Sequence, residues 1–93
     1  MRSVYKVPSL AWQNYDFIDM LCVLNRKNKN FYFFRDTGRI IVKSLLTGHT
    51  IEEVQQHCLD LYDISEEELI DSIDSFVALL LDEELFYEPD VYT

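Results

Sequence analysis

The stretch Phe31–Gly48, FYFFRDTGRIIVKSLLTG, changes character partway along, and the rest of the chain is read from it. Four consecutive aromatics, Phe31 to Phe34, have the β-propensity of an extended segment. Ile40, Ile41 and Leu45 then recur at helical spacing and Gly48 follows as a helix stop. The change falls at Arg35, Asp36, Thr37 and Gly38, where Asp36 or Thr37 is expected to accept hydrogen bonds from the first free amides of a helix over about Thr37–Leu46. A strand so aromatic has two faces, and a chain of 93 residues is too small to bury both cheaply.

Working toward the N-terminus, the polar turn NRKNKN (Asn25–Asn30) joins this strand to Phe17–Leu24, FIDMLCVL. That segment is apolar at nearly every position and is expected to be the strand that pairs antiparallel with Phe31–Phe34, Asp19 marking its wetter face. Asn in the turn tolerates the left-handed conformations that hairpins need. Before it, VYKVP and LAW are each readable as a short strand, with Pro8 excluding a central ladder position.

Toward the C-terminus, Thr50 and Glu53 form a capping-box pattern opening a second helix, with apolar groups at Ile51, Val54, Cys58 and Leu61 or Tyr62. The third helix has the strongest start: Ser65 as cap, Glu68 three residues on, and Ile64 set to staple onto Leu69. Leu69, Ile73, Phe76 and Leu80 form its core stripe. Ile70, Val77 and Leu81 widen the stripe on one flank and Leu79 on the other, so the apolar arc covers roughly half the circumference. One neighbour does not need that much. Either the helix is wedged between sheet and helices, or part of the arc lines a groove; Glu67, Asp71, Asp74 and Asp82 border it. Leu85–Tyr87 is placed to close the core, with a frayed tail expected over Glu88–Thr93.

The architecture expected is therefore α+β, a winged helix-turn-helix in which a three-stranded antiparallel sheet precedes three helices, as one domain over residues 1–93. In such a meander the third strand is an edge. An exposed aromatic edge beside an apolar groove invites aggregation unless a ligand uses it, and a peptide can pair there as an extra strand.

Composition narrows the function. The net charge is −9, yet all eight Lys and Arg lie between Arg2 and Lys43, and residues 44–93 hold 14 of the 17 acids. Such a surface repels phosphate backbones and attracts basic peptides, which argues against nucleic acid as partner. Apolar runs such as Val77–Leu81 are too short to span a bilayer, and no signal-peptide pattern opens the chain, so a cytoplasmic protein with no membrane partner is expected. Cys22 and Cys58 sit in apolar patterns and read as reduced packing residues. His57 and Cys58 point about 100° apart on a helix and do not converge on a metal. Two glycines and no phosphate-binding loop remove nucleotide chemistry. No catalytic residue, metal site or cofactor is assigned.

The order of elements, with FRDTGRIIVKSLLTGHTIEEV and ISEEELIDSIDSFVALLLDEELF, resembles the PqqD family, also called RiPP recognition elements, across roughly Phe17–Tyr87. Phe34, Asp36, Thr37, Gly38, Ile41, Leu45, Leu46, Gly48, Thr50, Glu52 and Glu53 match the family pattern. Arg35 replaces its usual Asn, Val42 its usual Trp, and Leu79 stands where a polar residue is more common.

The resemblance implies a non-catalytic binder of the leader of a ribosomally made precursor peptide. The leader adds antiparallel to the third strand at Asn30, Phe31, Tyr32, Phe33 and Phe34 and docks along the third helix. There Ile70, Val77, Leu79 and Leu81 are candidates for apolar contacts, and Asp71, Asp74 and Asp82 for pairing with Lys or Arg. Both flanks of that helix remain open as the groove wall. The partners implied are the precursor and a processing enzyme such as a leader protease, most like the discrete leader-binding subunit of lasso-peptide biosynthesis. The alternatives are a PqqD-type chaperone beside a radical enzyme, a winged-helix DNA binder using Arg26, Lys27 and Lys29, and an assembly subunit that dimerises through its aromatic edge.

Overall fold

A computed structural model describes residues 4–88. Its elements run β1 (Tyr5–Lys6), β2 (Leu10–Tyr15), a 3-10 turn (Asp16–Ile18), β3 (Met20–Asn25), β4 (Asn30–Arg35), α1 (Asp36–Leu46), α2 (Ile51–Leu61), α3 (Glu66–Asp82) and β5 (Phe86–Tyr87). The α+β order expected from the sequence, three strands and then three helices, is the one observed. β2, β3 and β4 form an antiparallel meander in that spatial order, with Trp12 opposite Val23, Leu21 opposite Phe34, and Val23 opposite Tyr32. β1 and β5 make a separate two-stranded clasp, Tyr5 opposite Tyr87.

Two-residue alternation decides which side of the meander is buried. Leu21, Val23 and Phe34 turn inward onto the helices, while Phe31 and Phe33 point outward and remain 61% and 62% exposed. Ile41, Val42 and Leu45 of α1, Val54 and Cys58 of α2, and Leu69, Ile73, Val77 and Leu80 of α3 fill the space beneath. Val42 is fully buried. Of the expected Leu85–Tyr87, Leu85 and Phe86 close the core while Tyr87 stays exposed, and the Val7 N–H donates to the Leu85 carbonyl at 3.1 Å. Of the expected tail, residues 89–93 lie outside the described residues.

The departures in β2 and β3 share one cause, the need to reverse the chain between them. Phe17–Leu24 is not one strand. Residues 16–18 make a single 3-10 turn, Asp19 adopts a left-handed φ of 51°, and pairing starts at Met20. Phe17 is apolar but 98% exposed, so its hydrophobicity says nothing about the core. β2 in turn runs on from LAW to Tyr15, giving three strands of six residues each. In the β3–β4 hairpin the left-handed residue is Lys29 (φ 63°) rather than an Asn. The asparagines act as side-chain acceptors instead: Asn25 Oδ1 takes the Lys27 N–H at 3.0 Å and Asn28 Oδ1 the Asn30 N–H at 3.0 Å.

The start of α1 also differs from expectation. Neither Asp36 nor Thr37 caps it; Arg35 occupies the cap position without a side-chain hydrogen bond, and Asp36 itself has a left-handed φ of 52°. The acceptor comes from the preceding turn: Asp19 Oδ2 receives the Asp36 N–H at 3.2 Å. At the other end, Gly48 (φ 93°) lets its own N–H reach the Leu45 carbonyl and the His49 N–H reach that of Ser44, a Schellman closure. Thr50 and Glu53 close a reciprocal capping box on α2, while Ser65 accepts the Glu68 N–H at 3.2 Å on α3.

Candidate functional site

The candidate site is the outer edge of β4 together with the margin of α3 beside it. Among the described residues, β4 is paired on one side by β3 and by no strand on the other; the C-terminal β5 goes to β1 instead. Every second residue from Asn30 to Arg35 therefore turns its N–H and C=O away from the sheet. These groups are ready-made partners for an added backbone.

Two side-chain contacts fix how α3 meets that strand. The rings of Phe34 and Phe76 meet edge to face with centroids 6.4 Å apart, and the Tyr32 hydroxyl donates to Glu83 Oε2 at 2.8 Å. The bond to the Glu83 carboxylate holds the Tyr32 phenol above its ordinary pKa. Phe76 and Glu83 are seven residues, about two turns, apart on one line of the helix, so that line borders β4. Gly38 makes room for it: a Cβ there would lie 2.8 Å from Phe76 Cζ. The glycine of the Thr37-Gly38 pair thus lets the Phe76 ring settle on the backbone of α1.

With the strand-facing line known, each third-helix candidate has a position round the helix relative to β4. At about 100° per residue, Leu79 sits roughly 60° from Phe76 on the solvent side of that line, with Ser72 and Ser75 near it. Leu79 is 40% exposed and belongs to the margin. Asp82 and Asp71 follow on the same side, about 120° and 140° from Phe76. Ile70 and Leu81 lie about 120° and 140° away in the opposite sense, across the buried stripe, and so do not border β4. Val77 is 0% exposed, a core residue that offers no surface to a ligand. Asp74, about 160° from Phe76, faces almost directly away. Of the third-helix candidates, Leu79 lies nearest the strand-facing line and Asp82 farther round on its solvent side, while Asp71, Asp74, Ile70, Leu81 and the buried Val77 do not border β4.

On the strand, Asn30, Phe31 and Phe33 are exposed, Tyr32 is half-buried and Phe34 is buried, so Phe34 can contribute only its backbone. Sequence reasoning missed Glu83, because nothing local signals a hydrogen bond between residues 51 apart.

The electrostatics are one-sided. Asp82, Glu83 and Glu84 crowd the C-terminus of α3, where the helix dipole is already negative and no basic residue stands in the last turn. Among the described residues, the side chains of Asp71, Asp82 and Glu84 take part in no ion pair. Such carboxylates are free to receive an ammonium or guanidinium from outside.

A second cluster, also unforeseen, holds the corner where β4 turns into α1. Arg39 donates through Nε to Asp19 Oδ1 at 2.6 Å and through Nη1 to Asp16 Oδ1 and Asn14 Oδ1, each at 2.9 Å. Asp16 is held below the usual carboxylate pKa by its bonds from Asn14 and Arg39, and Asp19 by its bond from Arg39. This cluster orients the strand end and is structural. Burial pushes the Cys58 thiol above its usual pKa, which disfavours a thiolate there. No helix among the described residues is long and apolar enough to cross a membrane.

No family model matches the sequence, and no curated protein matches it. Solved structures do. The fold is similar to that of TbiB1 in complex with the TbiA(beta) leader peptide, with a TM-score of 0.82 at 17% identity over 88% of this chain and 93% of that one. It is similar also to a lasso peptide synthetase B1 complexed with the leader peptide, with a TM-score of 0.79 at 20% identity over 91% of this chain and 98% of that one.

Proposed function

We propose that this chain, with the fold of those two leader-bound proteins, is a non-catalytic recognition subunit of lasso-peptide biosynthesis. It binds the leader of a ribosomally made precursor in the cytoplasm and delivers it to a processing enzyme such as a leader protease. The observation that carries this reading is the free edge of β4 lying beside the Phe76, Leu79 and Glu83 margin of α3. An extended leader pairs antiparallel with Asn30–Phe34. Backbone bonds there supply affinity with little demand on sequence, and side chains on alternate positions of the leader rest against Leu79 and Phe76 and supply selectivity. The acids at the end of α3 favour a leader with Lys or Arg near that contact, an attraction that salt weakens. That the two structural neighbours are described as leader-peptide complexes supports the reading.

The test is a titration of the isotope-labelled protein with the leaders of precursor peptides encoded beside its gene, followed by amide shifts. The expected shifts concentrate in residues 30–35 and 72–83. Shifts scattered over the surface, or none with any such leader, overturn the proposal.

A further inference from the structure

The side of the sheet turned away from the helices is a second surface, opposite the margin of α3 that borders the proposed leader groove. Tyr15, Met20, Cys22, Leu24, Phe31 and Phe33 point outward there, following the two-residue alternation of β2, β3 and β4. Tyr15, Phe31 and Phe33 are 46%, 61% and 62% exposed, and the turn after β2 adds Phe17 at 98%. A shallow depression of about 260 Å³ lies between Tyr15, Leu24 and Phe31, enough to seat one apolar side chain. None of the outward strand positions is acidic. At the hairpin end the rim is cationic, with Arg26, Lys27 and Lys29 all exposed; at the other end exposed Arg35 stands among Asp16, Asp19 and Asp36, of which Asp16 and Asp19 pair with Arg39. In a chain of net charge −9 this is an aromatic face with a cationic hairpin end, opposite an acidic helical side.

We infer that this outer sheet face docks the processing enzyme itself, through an apolar patch on that enzyme fringed by carboxylates. The inference rests on the function proposed above and names the surface by which delivery takes place. Charge selects the occupant. A second copy of the chain laid hairpin to hairpin would bring the same cations against these, on a flat footprint of only roughly 300 Å². An anionic membrane is disfavoured by the overall negative charge. An acid-fringed protein patch satisfies the rim, and the small footprint gives a contact weak enough to release after each delivery.

The experiment measures binding of the wild-type chain to each purified peptide-modifying enzyme encoded beside its gene, and compares the double variant Gln13→Glu/Tyr15→Glu, the single variant Phe17→Ser and the rim variant Arg26→Glu/Lys27→Glu. Leader affinity is titrated in parallel for all of them. The inference expects enzyme binding at least tenfold weaker in the double variant, leader affinity within twofold of wild type, and a rim effect larger at low salt than at high salt. Phe17→Ser, at a side chain almost wholly in solvent, shows a smaller loss of the same sign without risk to the fold. Enzyme binding unchanged in all three variants overturns the inference. So does a wild type that binds its leader but none of these enzymes, a dimer in sedimentation that the double variant abolishes, or pelleting with phosphatidylglycerol vesicles. Loss of leader binding by the wild type would instead be failure of the function proposed above.

Discussion

The Tyr32 hydroxyl and the Glu83 carboxylate, 51 residues apart in sequence, meet at 2.8 Å and tie the outer strand of the sheet to the end of the third helix. The bond sets the width between β4 and α3 where an added strand would enter. It also depends on which group holds the proton. With its pKa raised above the ordinary 10.0, the folded phenol keeps its proton more tightly than the unfolded one. The stabilisation is therefore fully present below about pH 10 and is lost as pH rises through the folded-state value. Urea midpoints of wild type and Tyr32→Phe should differ by a constant amount at neutral pH and converge above about pH 10. A difference that persists there would mean that the hydroxyl acts by packing alone.

Gly38 lies under the Phe76 ring with no room for a methyl group. Gly38→Ala should destabilise the protein by about 1–3 kcal/mol, the usual cost of overpacking a filled site. Adding Phe76→Leu to it should recover part of the loss in a denaturant melt. Additive losses in the double variant would show that the two positions do not compete for the same space.

The acid limb of the stability curve should trace to the corner held by Arg39. Asp16 and Asp19 have folded pKa values below 3.8, so the stability they contribute is present above that value and fades as pH falls through the folded values. Arg39→Met should lower the melting temperature at pH 6 and reduce the further fall between about pH 4 and pH 2. A variant whose acid limb is as steep as that of wild type would exclude Arg39 as the cause.

Leu79 and Ile70 offer a direct choice between the two flanks of α3. Leu79→Glu should weaken leader binding by roughly tenfold or more, the scale of one buried leucine side chain, whereas Ile70→Glu should leave it within about twofold. Calorimetric titration with the same leader compares them, and the reverse order would move the groove to the other flank.

Glu84 ends α3 in a left-handed conformation (φ 61°), closing a Schellman pattern in which its N–H reaches the Leu81 carbonyl and the Leu85 N–H that of Leu80. Glycine adopts this conformation without steric cost, and removing the acid also relieves the negative end of the helix. Glu84→Gly should stabilise the chain by about 1 kcal/mol, or roughly 4–8 °C for a domain of this size. Glu84→Ala removes the charge alone and should give less.

How far the sequence carried depended on the range of the interaction. The capping box at Thr50 and Glu53, the cap at Ser65 and the stop at Gly48 were legible because each is settled within a few residues. The inward set of β3 was misread: Asp19, taken to mark the wetter face, shares its parity with Leu21 and Val23, which are buried, because Asp19 belongs to the turn and the strand starts only at Met20. The apolar pair Phe17 and Ile18 misled, because a turn that must reverse the chain can expose apolar residues, and its structural role fell to Asp19. Ile70, Val77 and Leu81 had the right hydrophobicity for a groove. Only the position of β4 beside Phe76 and Glu83 shows that one is sealed in the core and two face elsewhere.

From its residues alone, this chain specifies three strands and then three helices, an aromatic third strand at the sheet's edge, and a charge divided between a basic first half and an acidic second. These follow from local periodicity, capping chemistry and composition, which act over a few residues or over the whole count. Tertiary structure alone decided which line of the third helix borders the strand, that Glu83 and Gly38 shape that border, and that an aspartate from a turn caps the first helix. Each joins groups between 17 and 51 residues apart, where no sequence period operates and only packing brings the partners within reach.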